Sequence, residues 1–156
     1  MLDKRVREER EIRLEGVAHM LDERFKRAEA DEIKAFFEQF YARVPTEDVN
    51  EASAENLYGA ALSLWKFAAQ RTADQTKLRV YNPRMEEHGW KSPHTIVEIV
   101  TEDMPFLVDS ITSNLNQWDC QVHLAIHPVV RLRRGDNGAR EELLPPVPNG
   151  KPGLSE

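Results

Sequence analysis

The hydrophobic period of this chain changes near residue 75. Before that point apolar residues recur at three- and four-residue steps, and after it they alternate, apart from 105–118, where Leu107, Ile111, Leu115 and Trp118 return to helical spacing. Side chains return to the same face every ~3.6 residues in a helix and every ~2 in a strand, so the first pattern buries a helical face and the second one face of a strand. A chain that does both must set helices against a sheet. Helices first and strands after argue for an α+β fold, with N-terminal helices packed on a small, mostly antiparallel sheet.

The helical part reads as three segments. Residues 3–30 carry Leu14, Val17, Leu21 and Phe25 on one face, with Asp3/Arg7 and Glu9/Arg13 spaced four apart, acid first, as in an exposed helix. Their first two turns hold little apolar surface, so they either fray or pack on a partner. Residues 31–44 line up Ile33, Phe36, Phe37, Phe40, Tyr41 and Val44, and Pro45 ends the helix. Aromatics at that spacing make a core face rather than a cofactor box. Ser53 caps a third helix reaching Arg71, with Leu57, Tyr58, Ala61, Leu62, Trp65, Ala68 and Ala69 inward. Gly59 and the small alanines let another element approach closely.

The alternating part reads as "KLRVYNP" and "HTIVEIVT" as strands, a helix over 105–118, and one long strand over 121–134. "RMEEHGWKSP" is a loop. In the long strand Val122, Leu124, Ile126, Val130 and Leu132 face one way, and His123, Ala125, His127, Arg131 and Arg133 the other. The expected core of this part is Val97, Ile99, Leu107, Ile111, Leu115, Leu124 and Ile126. "EELL" is able to return as a hairpin strand across Asp136-Asn137-Gly138. The rest of 136–156, with Pro145, Pro146, Pro148 and Pro152, reads as loop or disordered tail. The expected organisation is 1–30 charged helix, 31–75 helical segment, 76–135 βαβ segment and 136–156 tail.

Composition limits the function classes. The chain has 156 residues and a formal charge of −6, which argues against a general nucleic-acid or membrane-surface binder. No apolar run approaches a membrane span. The charged N-terminus is not a signal peptide, and the single Cys120 forms no internal disulfide, so the expected compartment is the cytoplasm.

Catalytic signatures are missing. The seven glycines never fall into a dinucleotide or P-loop spacing, and no serine stands in G-x-S-x-G. Cys120 and His123 would face opposite sides of a strand, and His123 and His127 would stand ~13 Å apart along it, so no metal site is expected. His88 and His94 read as solvated loop histidines. Arg131, Arg133 and Arg134 read as solubilising charges near an edge, with docking of an acidic loop or carboxylate as the other reading. That leaves Asp103, Met104, Pro105, Phe106, Leu107 and Val108, where a strand turns into a helix. Asp103 is placed to accept from the free N–H groups of the following turn, and Pro105 suits the first helical position. A carboxylate ligand fits such a helix start. The residues alone favour a plain capped turn.

A resemblance adds to this. "HTIVEIVTED", "DMPFLVDSI", "TSNLNQWD" and "CQVHLAIHPV" together resemble the first half of an ACT domain. The family is a ferredoxin-like βαββαβ regulatory module that usually binds an amino acid where its first strand meets its first helix. More specifically, "FYARVPTEDV", "ENLYGAALSLWKFA", "LRVYNPRMEEHGW", "HTIVEIVTEDMPFLVDSI" and "HPVVRLRRG" look like the N-terminal region of the large bacterial NAD-dependent glutamate dehydrogenases, over roughly residues 33–134. The resemblance implies a long polypeptide that oxidises L-glutamate to 2-oxoglutarate and ammonia with NAD, the catalytic domain lying far downstream. It implies a non-catalytic regulatory or assembly segment here, with no cofactor of its own, cut inside or just after the first ACT-like half. Its expected partners are the downstream domains, other subunits and an amino-acid effector at residues 103–108. The alternative is a stand-alone ACT-like amino-acid sensor. Ligand-binding ACT domains carry glycine after the proline, and this chain has Phe106 there.

Overall fold

The computed structural model describes residues 2–147. Four helices come first: α1 (Leu2–Arg24), α2 (Arg27–Tyr41), α3 (Thr46–Glu51) and α4 (Ala54–Phe67). The second part holds β1 (Lys77–Tyr81), α5 (Met85–His88), β2 (Ile96–Val100), α6 (Leu107–Gln117), β3 (Arg131–Arg134) and β4 (Arg140–Leu144). The α+β class is as expected.

The core is helical. Val17 and Leu21 of α1, Ile33, Phe36, Phe37 and Phe40 of α2, Val49 of α3 and Leu57, Ala61 and Trp65 of α4 are buried in one cluster. The first break lies at Phe25–Lys26, not after Ala30, and α2 folds back along α1. Arg10 then meets the far end of α2, donating to the Tyr41 and Val44 carbonyls, the latter at 3.0 Å, while Lys34 pairs with Asp22. Arg10 so satisfies carbonyls left free at a helix C-terminus. The first turns of α1 therefore pack within the chain. Asn50 donates to the Val6 carbonyl at 3.0 Å, and Arg13 donates to the Ala52 carbonyl at 2.9 Å instead of pairing with Glu9.

Helix α4 begins as its sequence suggests, with the Asn56 N–H donating to Ser53 Oγ at 3.2 Å. Its far end is closed by arginines from the β3–β4 hairpin. Arg140 donates to the Trp65 carbonyl at 2.7 Å and stacks 3.2 Å from the Trp65 ring centroid, and Arg134 reaches the Ala68 carbonyl at 2.8 Å. Burial lowers Arg140 to about 10, which leaves it charged at neutral pH. Gly138 turns the hairpin at φ 80°, and an added Cβ there would stand 2.6 Å from the Arg71 carbonyl oxygen. Only glycine combines that backbone with that approach.

The pairing in the second part differs from expectation in three ways. β1 covers one edge of β2, antiparallel and in register from Lys77↔Val100 to Tyr81↔Ile96. However, residues 121–130 form no strand. Strand structure begins only at Arg131, and β3 pairs with β4 through "EELL" across Asp136-Asn137-Gly138, the hairpin the sequence allowed within a segment otherwise read as tail. A strand needs a hydrogen-bonding neighbour, residues 121–130 have none beside them, and Pro128 withholds one donor. The alternation there still counts, because Ile126, Val130 and Leu132 rest against the helical core. Second, no residue of α6 is buried, and Val97 and Leu124 are 40% and 44% exposed. The seven residues expected to form a shared core do not form one, since α6 packs closely against no other described element. Third, "MEEH" within the expected loop forms the short α5, ended by Gly89 at φ 74°. The expected tail beyond residue 147 lies outside the described residues.

Candidate functional site

The six residues singled out by sequence run through the turn between β2 and α6 into the first two residues of α6. Asp103, Met104, Pro105 and Phe106 are exposed, and Leu107 and Val108 half-buried. Phe106, not Asp103, is the N-cap. It sits at φ 62°, ψ 11°, a left-handed backbone rare for a bulky residue. That conformation stops the helix from reaching back to Pro105, which therefore lies in the turn and not at the first helical position. No side chain caps α6, and the Ser110 N–H donates to the Phe106 carbonyl at 2.9 Å. Phe106 is 78% exposed, so its ring does not fill a pocket beside the turn. Beside the turn, Glu102 pairs with the buried Arg71, which donates to the Thr72, Ala73 and Gln75 carbonyls, the last at 2.9 Å. Arg71 thus ties the loop before β1 to the end of β2, a role its place at the end of a helical pattern did not announce.

A second place is built more fully. The antiparallel register sets Arg79 of β1 directly opposite Glu98 of β2. Glu98 is only 8% exposed. It accepts from Arg79 Nε at 2.8 Å, from Arg79 Nη2 and, on its other oxygen, from the Tyr81 hydroxyl at 2.8 Å. Arg79 also donates to Ser63 Oγ at 3.0 Å, and its guanidinium lies 4.4 Å from the Phe67 ring centroid and 4.6 Å from that of Tyr81. Two rings and a carboxylate hold this cation in one position. Burial, reinforced by the hydrogen bond to Glu98 and its charge, raises Tyr81, so its hydroxyl stays protonated and keeps donating.

In front of Arg79 lies a cleft of about 690 Å³ between the end of α1, α4, β1 and α5. Arg24 and Lys66 stand on its walls with Arg79, and Phe25, Leu62 and Phe67 supply apolar surface. At its back, α4 and the residues after α5 meet closely at Gly59, where an added Cβ would lie 2.5 Å from Trp90 Cβ. His88 belongs to this wall. Its Nδ1 accepts from the Arg84 N–H at 3.0 Å and its ring lies 4.8 Å from Tyr81, so it is packed and not simply solvated.

The other sequence candidates do not converge. His123 stacks on His94 at 4.4 Å, and the spacing argued for His123 and His127 along a strand does not apply to residues that form none. Among the described residues no three His, Cys, Asp or Glu side chains gather to hold a metal ion. Arg133 pairs with Glu141 and Glu142, and Arg134 closes α4, so the three arginines do not act as one basic patch. The described strands pair only antiparallel, in two-stranded sheets. A dinucleotide site of the usual kind needs parallel strands and a glycine-rich turn into a helix, and the residues here do not fit one. No described helix is long and apolar enough to cross a membrane.

Comparison with known proteins places the chain. The model of the family described as glutamate dehydrogenase, ACT1 domain, matches residues 36–156. The NAD-specific glutamate dehydrogenase of Halomonas elongata is 38% identical over 143 residues, which is 92% of this chain and 9% of that protein. The NAD-specific glutamate dehydrogenase of Pseudomonas aeruginosa is 37% identical over 120 residues, 77% of this chain and 7% of that protein. The chain thus spans less than a tenth of the length of these relatives. No solved structure matches it.

Proposed function

Because the chain belongs to the family of glutamate dehydrogenase ACT1 domains, we propose that it is a non-catalytic regulatory and assembly module at the N-terminal end of a large NAD-dependent glutamate dehydrogenase. The whole enzyme would deaminate L-glutamate oxidatively in the cytoplasm, with NAD and the reacting groups held by downstream domains. The partner of this module is the rest of the same polypeptide, and other subunits through it.

The observation that carries the assembly role is the inverted polarity of β1. Lys77, Arg79 and Tyr81 face the helices, while Leu78 and Val80 point outward, 62% and 59% exposed. The register sets Ile99 and Val97 of β2 opposite them on the same outer face. A sheet face left to water carries polar residues, and an apolar one is built to be covered. Replacing Leu78 with lysine and Val80 with glutamate together is expected to shift the stability of the chain by no more than about 1 kcal/mol, since both are exposed already. The same pair is expected to abolish capture of the remaining polypeptide supplied in trans. Undiminished capture would sink the assembly reading.

A second reading keeps residues 103–108 as an amino-acid effector site. The left-handed Phe106, with its ring turned outward and no side chain over the N–H groups of α6, supports it. Strained backbone of this kind is found at ligand clamps. Calorimetry with a panel of free amino acids is expected to give binding heat that Asp103→Ala and Pro105→Ala remove. Absence of heat across the panel would leave only the assembly role.

A further inference from the structure

We propose that the cleft walled by Arg24, Lys66 and Arg79 binds a small oxyanion-bearing metabolite, a carboxylate or a phosphate. The charge balance is the first argument. The chain as a whole carries −6, yet this cleft gathers three cations against one lining acid, Glu87. Glu98 offsets Arg79 from behind. Among the described residues Arg24 and Lys66 form no ion pair, unlike Arg7, Lys34, Arg71 and Arg133, which do. A local positive field in an acidic molecule draws and orients anions.

Preorganisation is the second. Arg79 is fixed by Glu98, Ser63 and two aromatic rings, so a ligand meets a guanidinium that has already lost its rotamer freedom. Arg24 lies over the Tyr58 ring at 5.0 Å to the centroid, which steadies a second cation. Size is the third. About 690 Å³ with Phe25, Leu62 and Phe67 on its sides accommodates the carbon body of a small metabolite between those cations. The cleft is separate from residues 103–108 and from the outer face of β1, so its failure would leave the assembly reading standing.

The test is a nuclear magnetic resonance titration of the 156-residue chain with sodium succinate and, separately, with inorganic phosphate, at constant ionic strength set by sodium chloride. Saturable shifts are expected at the amides of Gly59, Ser63 and Gly89 with at least one of the two, and the one that saturates names the ligand class. Arg24→Gln with Lys66→Gln should weaken that binding by about tenfold or more, and Lys66→Arg should retain it. Thermal unfolding of the double variant should match the parent, which separates lost binding from lost fold. No saturation by ~10 mM of either anion, or equal affinity in the double variant, would overturn the site.

Discussion

Replacing Phe36 with alanine is expected to cost about 3–5 kcal/mol, a large part of the stability of a domain this size. Phe36 is buried where α2 crosses α4, its ring 4.9 Å from Trp65, 5.7 Å from Phe40 and 6.1 Å from Phe37 by centroid. The loss has two parts: the transfer of a ring's worth of apolar surface, and the cavity that remains. That cavity is hard to close. α2 is held at one end by Arg10 on its last carbonyls and nearer its start by Glu32, which accepts from the Leu143 N–H at 2.8 Å. Urea unfolding followed by circular dichroism measures the difference. A loss below ~1 kcal/mol would mean that the helices slide to fill the space, and that this core is not the one described.

Glu98→Ala is expected to cost about 2–3 kcal/mol, more than its single side chain's packing explains. The substitution strips Arg79 of its counter-charge and the Tyr81 hydroxyl of its acceptor, and both are left between the sheet and α4. Removing one partner of a buried ion pair costs ~3–5 kcal/mol in general, and Arg79 retains some contact with water, which lowers the figure. The pair itself adds much less. Arg79→Met with Glu98→Leu is expected to recover part of the loss, because neither charge then remains to be desolvated, while the Tyr81 hydroxyl still lacks its Glu98 acceptor. A double-mutant cycle of Arg79→Met, Glu98→Leu and the two together reads the coupling directly. If the double variant is as unstable as the sum of the single ones, the two residues do not act as a pair.

Both residues were visible in the sequence to different degrees, and the difference is physical. Phe36 belongs to an aromatic face repeating along one helix, a pattern that needs no other part of the chain to be read. Glu98 is a lone charge in the apolar run "HTIVEIVT". That oddity is a signal, but its partner Arg79 lies 19 positions away and is identified only by the strand register. The cleft before Arg79 was not legible at all. Its cations come from α1, α4 and β1, and nothing in their spacing along the chain brings them together. Residues 103–108 were legible as a strand-to-helix turn, while the left-handed backbone at Phe106 was not, since a bulky residue is a poor guess for that conformation.

Taken by itself, the sequence determined what depends on near neighbours. It set the buried faces of α1, α2 and α4, the Ser53 cap, and the hairpin across Asp136-Asn137-Gly138. Tertiary structure alone decided the break at Phe25–Lys26, where no glycine or proline marks it, and the closing of α4 by Arg134 and Arg140. It also decided the state of residues 121–130, whose alternation suits a strand but which have no neighbouring strand to bond. A helix satisfies its own backbone within four residues, whereas a strand, a helix end closed from afar and a charged cleft each wait on groups that only folding brings near.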